Sequence, residues 1–197
     1  MELTMKKLIL LSLCLSCGIG LANADGCDAD DPMFNEGIAK NLIKQWNNSL
    51  LTAKSNTAQE LKTSAQDVVK ANYAPHAVLL PTLSDVIRMD TPQLVDYFEH
   101  FLSKQPHLAA GSPYDTAVYS SCGLGVYNGD YDFIAKGQPV MHARFTFVYE
   151  YLDQPTLAGQ KPGWYIVSHH SSLQPPSQPE HNSHNESTPL AKINFEF

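Results

Sequence analysis

Apolar residues recur at helical spacing through residues 33–51, where Ile38, Leu42, Ile43, Trp46 and Leu50 fall on one face. A second helix is predicted from Thr57, which forms a capping box with Glu60, and its buried positions are Leu61, Ala65, Val68 and Val69. Residues 73–75 end it. Residues 77–80 read as a short apolar strand halted by Pro81. Thr91-Pro92 reads as an N-cap followed by proline at the first helical position, opening a third helix that carries Leu94, Val95, Phe98, Phe101 and Leu102. Beyond Pro106 the period changes to two. Residues 114–124 are strand-like, Asn128-Gly129 predicts a hairpin turn, and residues 131–135 continue as a strand. The strongest alternation runs through residues 140–152, with Phe145, Phe147 and Tyr149 on one face and Arg144, Thr146 and Val148 on the other. Residues 163–172 form the last strand of the set.

Helices followed by consecutive antiparallel strands argue for an α+β fold. A strongly bent sheet wrapped around the helices would leave an internal pocket between them. The chain has 197 residues, 43% hydrophobic and 17% charged, which suits one globular domain at residues 25–172. Residues 173–197 form a C-terminal tail rich in Pro, Ser and His. Its last five residues alternate again, so that an edge strand or a segment docked on a partner subunit stands equal to a disordered end. The net charge of −7, without a Lys/Arg cluster, excludes a nucleic-acid partner. No apolar run of spanning length lies beyond the N-terminus, which excludes a polytopic membrane protein.

Residues 1–24 read as a cleavable secretory signal. Lys6 and Lys7 supply the positive region, residues 8–21 the apolar stretch, and Ala22-Asn23-Ala24 the small-x-small cleavage site. The mature chain is then periplasmic or secreted, with no membrane association after cleavage. Two cysteines remain, Cys27 and Cys122. In an oxidising compartment they suggest one disulfide, with two unrelated buried thiols as the alternative.

The densest polar cluster on a strand is Ser168-His169-His170-Ser171-Ser172. Neighbours on a strand face opposite ways, so His169 and Ser171 share one face and His170 and Ser172 the other. The two histidines cannot both enter one small site. No His-x-His or His-x-x-x-His pair occurs in the folded region to support zinc, and His76, His100 and His142 would be ligands only by tertiary coincidence. Arg144 lies mid-strand. Pointed into the concave side it needs an anion or a carboxylate partner, and Thr146 is a candidate for the same cavity. Pro81-Thr82-Leu83-Ser84 follows a strand and reads either as a turn or as a hydroxyl-bearing segment of the site. Tyr97 on the third helix reads either as core with a tied hydroxyl or as a site residue. No glycine-rich phosphate loop, nucleophile elbow or Cys-x-x-Cys pair is present.

Four segments together resemble a known family: Leu79-Leu80-Pro81-Thr82-Leu83-Ser84, Asp96-Tyr97-Phe98 with Phe101-Leu102, residues 143–149 (ARFTFVY), and residues 164–172 (WYIVSHHSS). They are similar to the calcium/calmodulin-dependent kinase II association-domain family within the NTF2-like (SnoaL-like, cystatin-like) superfamily. The HHSS version in a small exported protein looks like the iota-class carbonic anhydrases. The resemblance covers roughly residues 33–176. It implies an NTF2-like cone, usually a homodimer, and reversible hydration of carbon dioxide to bicarbonate. Some members are regarded as metal-free and others as zinc- or manganese-dependent. In the metal-free view Thr82, Tyr97 and Ser171 would hold bicarbonate beside His169, or Ser172 with His170 if the strand register differs by one. Arg144, Thr146, His170 and Ser172 complete the expected substrate-binding set. Water would be oriented by the hydroxyls, and His169 would carry its proton to solvent.

Overall fold

Residues 32–175, apart from residue 83, are described by the computed structural model, in the order α1 (Glu36–Leu51), α2 (Ala58–Asn72), β1 (Tyr73–Leu80), α3 (Thr91–Leu102), β2 (His107–Leu108), β3 (Tyr114–Ser121), β4 (Leu124–Ile134), β5 (Met141–Leu152) and β6 (Gly163–Leu173). The expected signal, Cys27 and the tail beyond residue 175 lie outside the described residues.

Each helix starts where a side chain satisfies its first free N–H groups. The side chain of Asn35 accepts from Ile38 N at 3.0 Å. Thr57 accepts from Glu60 N at 3.1 Å, while Glu60 accepts from Asn56 N rather than from the cap residue itself. The third cap is Asp90, one residue before the expected Thr91; it accepts from Gln93 N at 2.8 Å. Proline at 92 still falls in the first turn, where its missing N–H costs nothing. The helices bury Ala39, Ile43, Trp46 and Leu50 from α1, Ala65, Val68 and Val69 from α2, and Leu94, Phe98 and Leu102 from α3. Each buried Val, Leu, Ile or Phe side chain among these contributes about 1.5–3 kcal/mol through removal from water.

The six-stranded sheet runs β1-β6-β5-β4-β2, with β3 also paired to β4. It curls into a half-barrel around the helices. β1 is parallel to β6 and the other pairs are antiparallel. β1 is longer than the expected residues 77–80. Its Pro75 is tolerated because β1 is an edge strand whose ladder is irregular between Tyr73 and Val78. His107 of β2 pairs with Ile134 of β4.

The expected hairpin at Asn128-Gly129 does not form. β4 runs straight through both residues, which pair with Thr146 and Phe145. The reversal lies at Cys122-Gly123 instead, where Gly123 has φ of +61°. Gly129 is needed for a different reason: a Cβ there would come within 3.0 Å of the Phe145 ring and 2.8 Å of Thr116 Cγ2. The aromatic ring lies against the bare backbone, and that contact holds the strand extended.

Alternation along β5 and β6 decides what the curl encloses. Ala143, Phe145, Phe147 and Tyr149 are buried in the core, as are His169 and Ser171. The intervening residues face the convex side. The face that meets the helices is therefore the aromatic one.

Candidate functional site

Between the concave sheet and α3 lies a cavity of about 260 Å³. Its floor is apolar, formed by residues such as Trp46, Phe98, Phe133 and Ala143. Five of its polar groups arrive from four places in the fold: Thr82 from the segment after β1, Tyr97 from α3, Tyr131 from β4, and His169 with Ser171 from β6. The four expected catalytic residues, Thr82, Tyr97, His169 and Ser171, thus line one space.

Thr82 and Ser171 are hydrogen-bonded to each other through their hydroxyls. Tyr131, which sequence reasoning treated only as the start of a strand, donates to Ser171 Oγ at 2.6 Å. Burial pushes the Tyr131 phenol well up, opposed by its bond to Ser171, so it stays a neutral donor. With Tyr131 donating into Ser171, the Ser171 proton is free for Thr82 or for a ligand. Tyr97 has no hydrogen-bond partner among the described residues. Burial raises its phenol to about 12, and the Arg88 charge pulls the other way.

His169 is 4% exposed and sits in an aromatic cage, with its ring centroid 4.2 Å from that of Phe147 and 5.6 Å from that of Trp46. Trp46 Nε1 donates to Tyr73 OH at 3.1 Å, and Tyr73 OH lies 2.9 Å from His169 Nδ1. An indole only donates, so the Tyr73 hydroxyl hydrogen is left for Nδ1, and the ring proton of His169 sits on Nε2. That Nε2 is buried without a partner among the described residues. Desolvation, then the neighbouring His170, pushes the imidazole down to about 3. At neutral pH His169 is therefore a neutral hydrogen-bond donor. The ordinary histidine pKa on which the expected proton transfer rested does not apply in this cage.

The expected substrate-binding set is placed elsewhere. Arg144, Thr146, His170 and Ser172 all face the convex side of the sheet. Arg144 and His170 are exposed. Arg144 stands opposite Asp130 and Ser172 in the ladders, and Thr146 donates to Asn128 Oδ1 at 2.8 Å. The physical reason is the alternation itself: Phe145 and Phe147 claim the helix-covered face, and their neighbours must point away from it. The register alternative of Ser172 with His170 is excluded on the same ground.

A residue that sequence reasoning missed supplies a cation instead. Arg88 lines the cavity, its guanidinium carbon 6.0 Å from the centre of the Tyr97 ring. The signal in the sequence was weak, a single arginine six residues beyond Thr82 in a segment with no clear periodicity. Lys104 and His100 stand at the same cavity, and no Asp or Glu lines it. His76 and His142 pair with Glu150 and Asp132 at 3.4 and 2.6 Å, and neither lines this space. Among the described residues no cluster of three His, Cys, Asp or Glu side chains forms. The cavity thus does not offer the three protein ligands that a catalytic zinc commonly uses.

No protein-family model and no curated protein matches the chain. Solved structures do. One from Xanthomonas campestris, described as a calcium/calmodulin dependent protein kinase II association domain, is 31% identical, covers 71% of this chain and 87% of its own, and superposes with a TM-score of 0.54. The chain belongs to this association-domain family. Two more distant structures share its fold. The iota-carbonic anhydrase from a cyanobacterium, complexed with bicarbonate, is 17% identical over 74% of this chain and 94% of its own, with a TM-score of 0.59. A cystatin-like protein of unknown function from Nostoc punctiforme is 10% identical over 77% of this chain and 97% of its own, with a TM-score of 0.51. The association-domain member described here is thus an NTF2-like, cystatin-like cone, and each of the four motifs contributes side chains to its hollow.

Proposed function

We propose that this cavity hydrates carbon dioxide reversibly to bicarbonate, as the motif resemblance to iota-class carbonic anhydrases implies. The supporting observation is the hydrogen-bonded pair of Thr82 and Ser171, 89 residues apart in the chain, backed by Tyr131 and sharing one cavity with Tyr97 and His169. Water held by the Thr82 and Ser171 hydroxyls attacks the carbon of CO₂ through an oxygen lone pair. One C=O π pair moves onto its oxygen, and the water gives up one proton. The His169 Nε2–H and the Tyr97 O–H are free donors for the oxygen that gains charge, and donors fixed before reaction in a largely apolar cavity stabilise that charge strongly. His169 is a poor proton acceptor in its cage. The exposed His100 at the cavity suits that task better: its Nδ1 donates to Asp96 O at 2.8 Å, which leaves Nε2 as the atom to take the proton to solvent.

The reaction is read as metal-free, with zinc or manganese as the alternative. Stopped-flow CO₂ hydration by the chelator-stripped protein tests this. The rate is expected to survive stripping. Complete loss with recovery on adding zinc or manganese would overturn the metal-free reading, and no hydration in any state would overturn the activity. A second reading, a non-catalytic assembly module, is favoured by the 31% identity to an association domain. It predicts an oligomer without hydration, and analytical ultracentrifugation beside the kinetic assay separates the two. A homodimer is part of the proposal for either.

Export through residues 1–24, to the periplasm or beyond, and a Cys27–Cys122 disulfide also belong to this reading. Met33 makes an antiparallel bridge with Cys122, so the chain six residues past Cys27 is already beside it. Reduction, or Cys122→Ser, is expected to lower stability by about 3–5 kcal/mol in denaturant unfolding.

A further inference from the structure

Arg88 is the least explained side chain of the cavity. Its backbone is pinned: Leu79 N donates to Arg88 O at 2.8 Å and Arg88 N to Leu79 O at 3.0 Å, so the segment after β1 folds back onto that strand. Its side chain lies over the Tyr97 ring. Of the five guanidinium N–H groups, one donates to Val86 O at 3.2 Å, and Nε is buried with no partner. Among the described residues no carboxylate pairs with it. A half-buried guanidinium left with unused donors is unfavourable unless something anionic completes it.

The surroundings point the same way. The chain as a whole carries 20 acidic and 13 basic residues, yet the cavity presents Arg88 and Lys104 and not one acidic side chain. Among the described residues, two further neutral donors there, Tyr97 O–H and His169 Nε2–H, have no acceptor. A pocket with two cations, unused donors and no carboxylate selects for negative charge. The planar guanidinium fork matches two oxygens of a trigonal anion, which an ammonium group cannot do.

We propose that Arg88, assisted by Lys104, makes the cavity a receptor for a small planar oxyanion of the bicarbonate, formate or nitrate class, and that Arg88 sets the affinity. The inference deepens the hydration reading, on which it rests for bicarbonate as the natural anion. Arg88 holds two oxygens of the anion while Tyr97 and His169 are free to donate to the third. The cavity, at about 260 Å³, is far above the ~10–15 Å³ needed to hold one water and so admits such an anion.

The test is a titration of the full mature chain with sodium formate, sodium nitrate and sodium bicarbonate at constant ionic strength, following backbone amide resonances by ¹H–¹⁵N NMR, which the Arg88 variants keep. Saturable shifts are expected with the wild type. Arg88→Met is expected to weaken binding by roughly tenfold or more, Arg88→Lys by several-fold through loss of the fork, and Lys104→Met by about two-fold, more at low salt. Arg88→Lys keeps the charge and most of the packing, so it reads out the fork even where Arg88→Met fails to fold. Wild-type shifts that do not saturate, or unchanged affinity in Arg88→Lys and Arg88→Met, would overturn the proposal. Anion binding with no CO₂ hydration would sink the activity alone. Hydration that persists with wild-type anion affinity in both Arg88 variants would sink this inference alone.

Discussion

The two faces of β6 carry nearly the same chemistry over residues 169–172 and live in different surroundings. His169 and His170 are adjacent, as are Ser171 and Ser172. One of each pair lies in a hollow between sheet and helices, and the other on the convex surface. His169 is desolvated, caged by aromatic rings and tied to Tyr73, while His170 is exposed. Ser171 receives the Tyr131 hydrogen bond and pairs with Thr82, while Ser172 faces the row that holds Arg144. The contrast teaches that residue type alone does not make a site. A hydroxyl or imidazole acquires fixed direction and a shifted proton affinity only where water is removed and partners are held in place.

The largest effect that should separate the faces is on stability. Phe147→Ala removes a fully buried ring and is expected to cost about 3–5 kcal/mol in urea unfolding, whereas Arg144→Ala on the neighbouring convex position should stay within about 0.5 kcal/mol. Comparable losses for both would mean that the convex face is itself covered. Next comes catalysis. Ser171→Ala should slow CO₂ hydration by about 100-fold, as loss of a preorganised polar group typically does, and Ser172→Ala should leave the rate unchanged. A large effect of Ser172→Ala would break the assignment of the two serines.

The smallest effect is a pH slope. His169 has its folded pKa pushed down to about 3 from 6.5. Below 6.5 the unfolded chain binds a proton that the folded one refuses. The stability conferred by keeping His169 neutral is therefore complete above about pH 6.5 and is lost as pH falls towards 3, at about 1.4 kcal/mol per pH unit. Between pH 6.5 and 5, before most carboxylates titrate, unfolding free energies should show that slope in the wild type and in His170→Gln, but not in His169→Gln. An equal slope in all three would show that His169 is not desolvated.

Much of this was legible without coordinates. The three helices, the strands predicted over residues 140–152 and 163–172, and the rule that His169 goes with Ser171 follow from periodicities of 3.6 and 2. Where those readings failed, a local preference met a tertiary contact. Asn128-Gly129 is a good turn pair, but the Phe145 ring needs the bare Gly129 backbone, and that contact prevailed. Arg144 drew attention as a lone cation among aromatics. The pattern already held the answer, since three aromatics on one face bind that face to the core and turn Arg144 outward. Arg88 and Tyr131 carried no such signal.

The sequence by itself determined which residues of each strand travel together, because the pleat alternates strictly and backbone geometry enforces it at every step. Alternation has no preferred side, however. Which set faces the hollow, which distant hydroxyls meet there, and whether a histidine keeps its usual proton affinity are set by the curl of the sheet over the helices. Thr82 and Ser171 are far apart in the chain, and only long-range packing brings their oxygens together and excludes the water that would otherwise satisfy each alone.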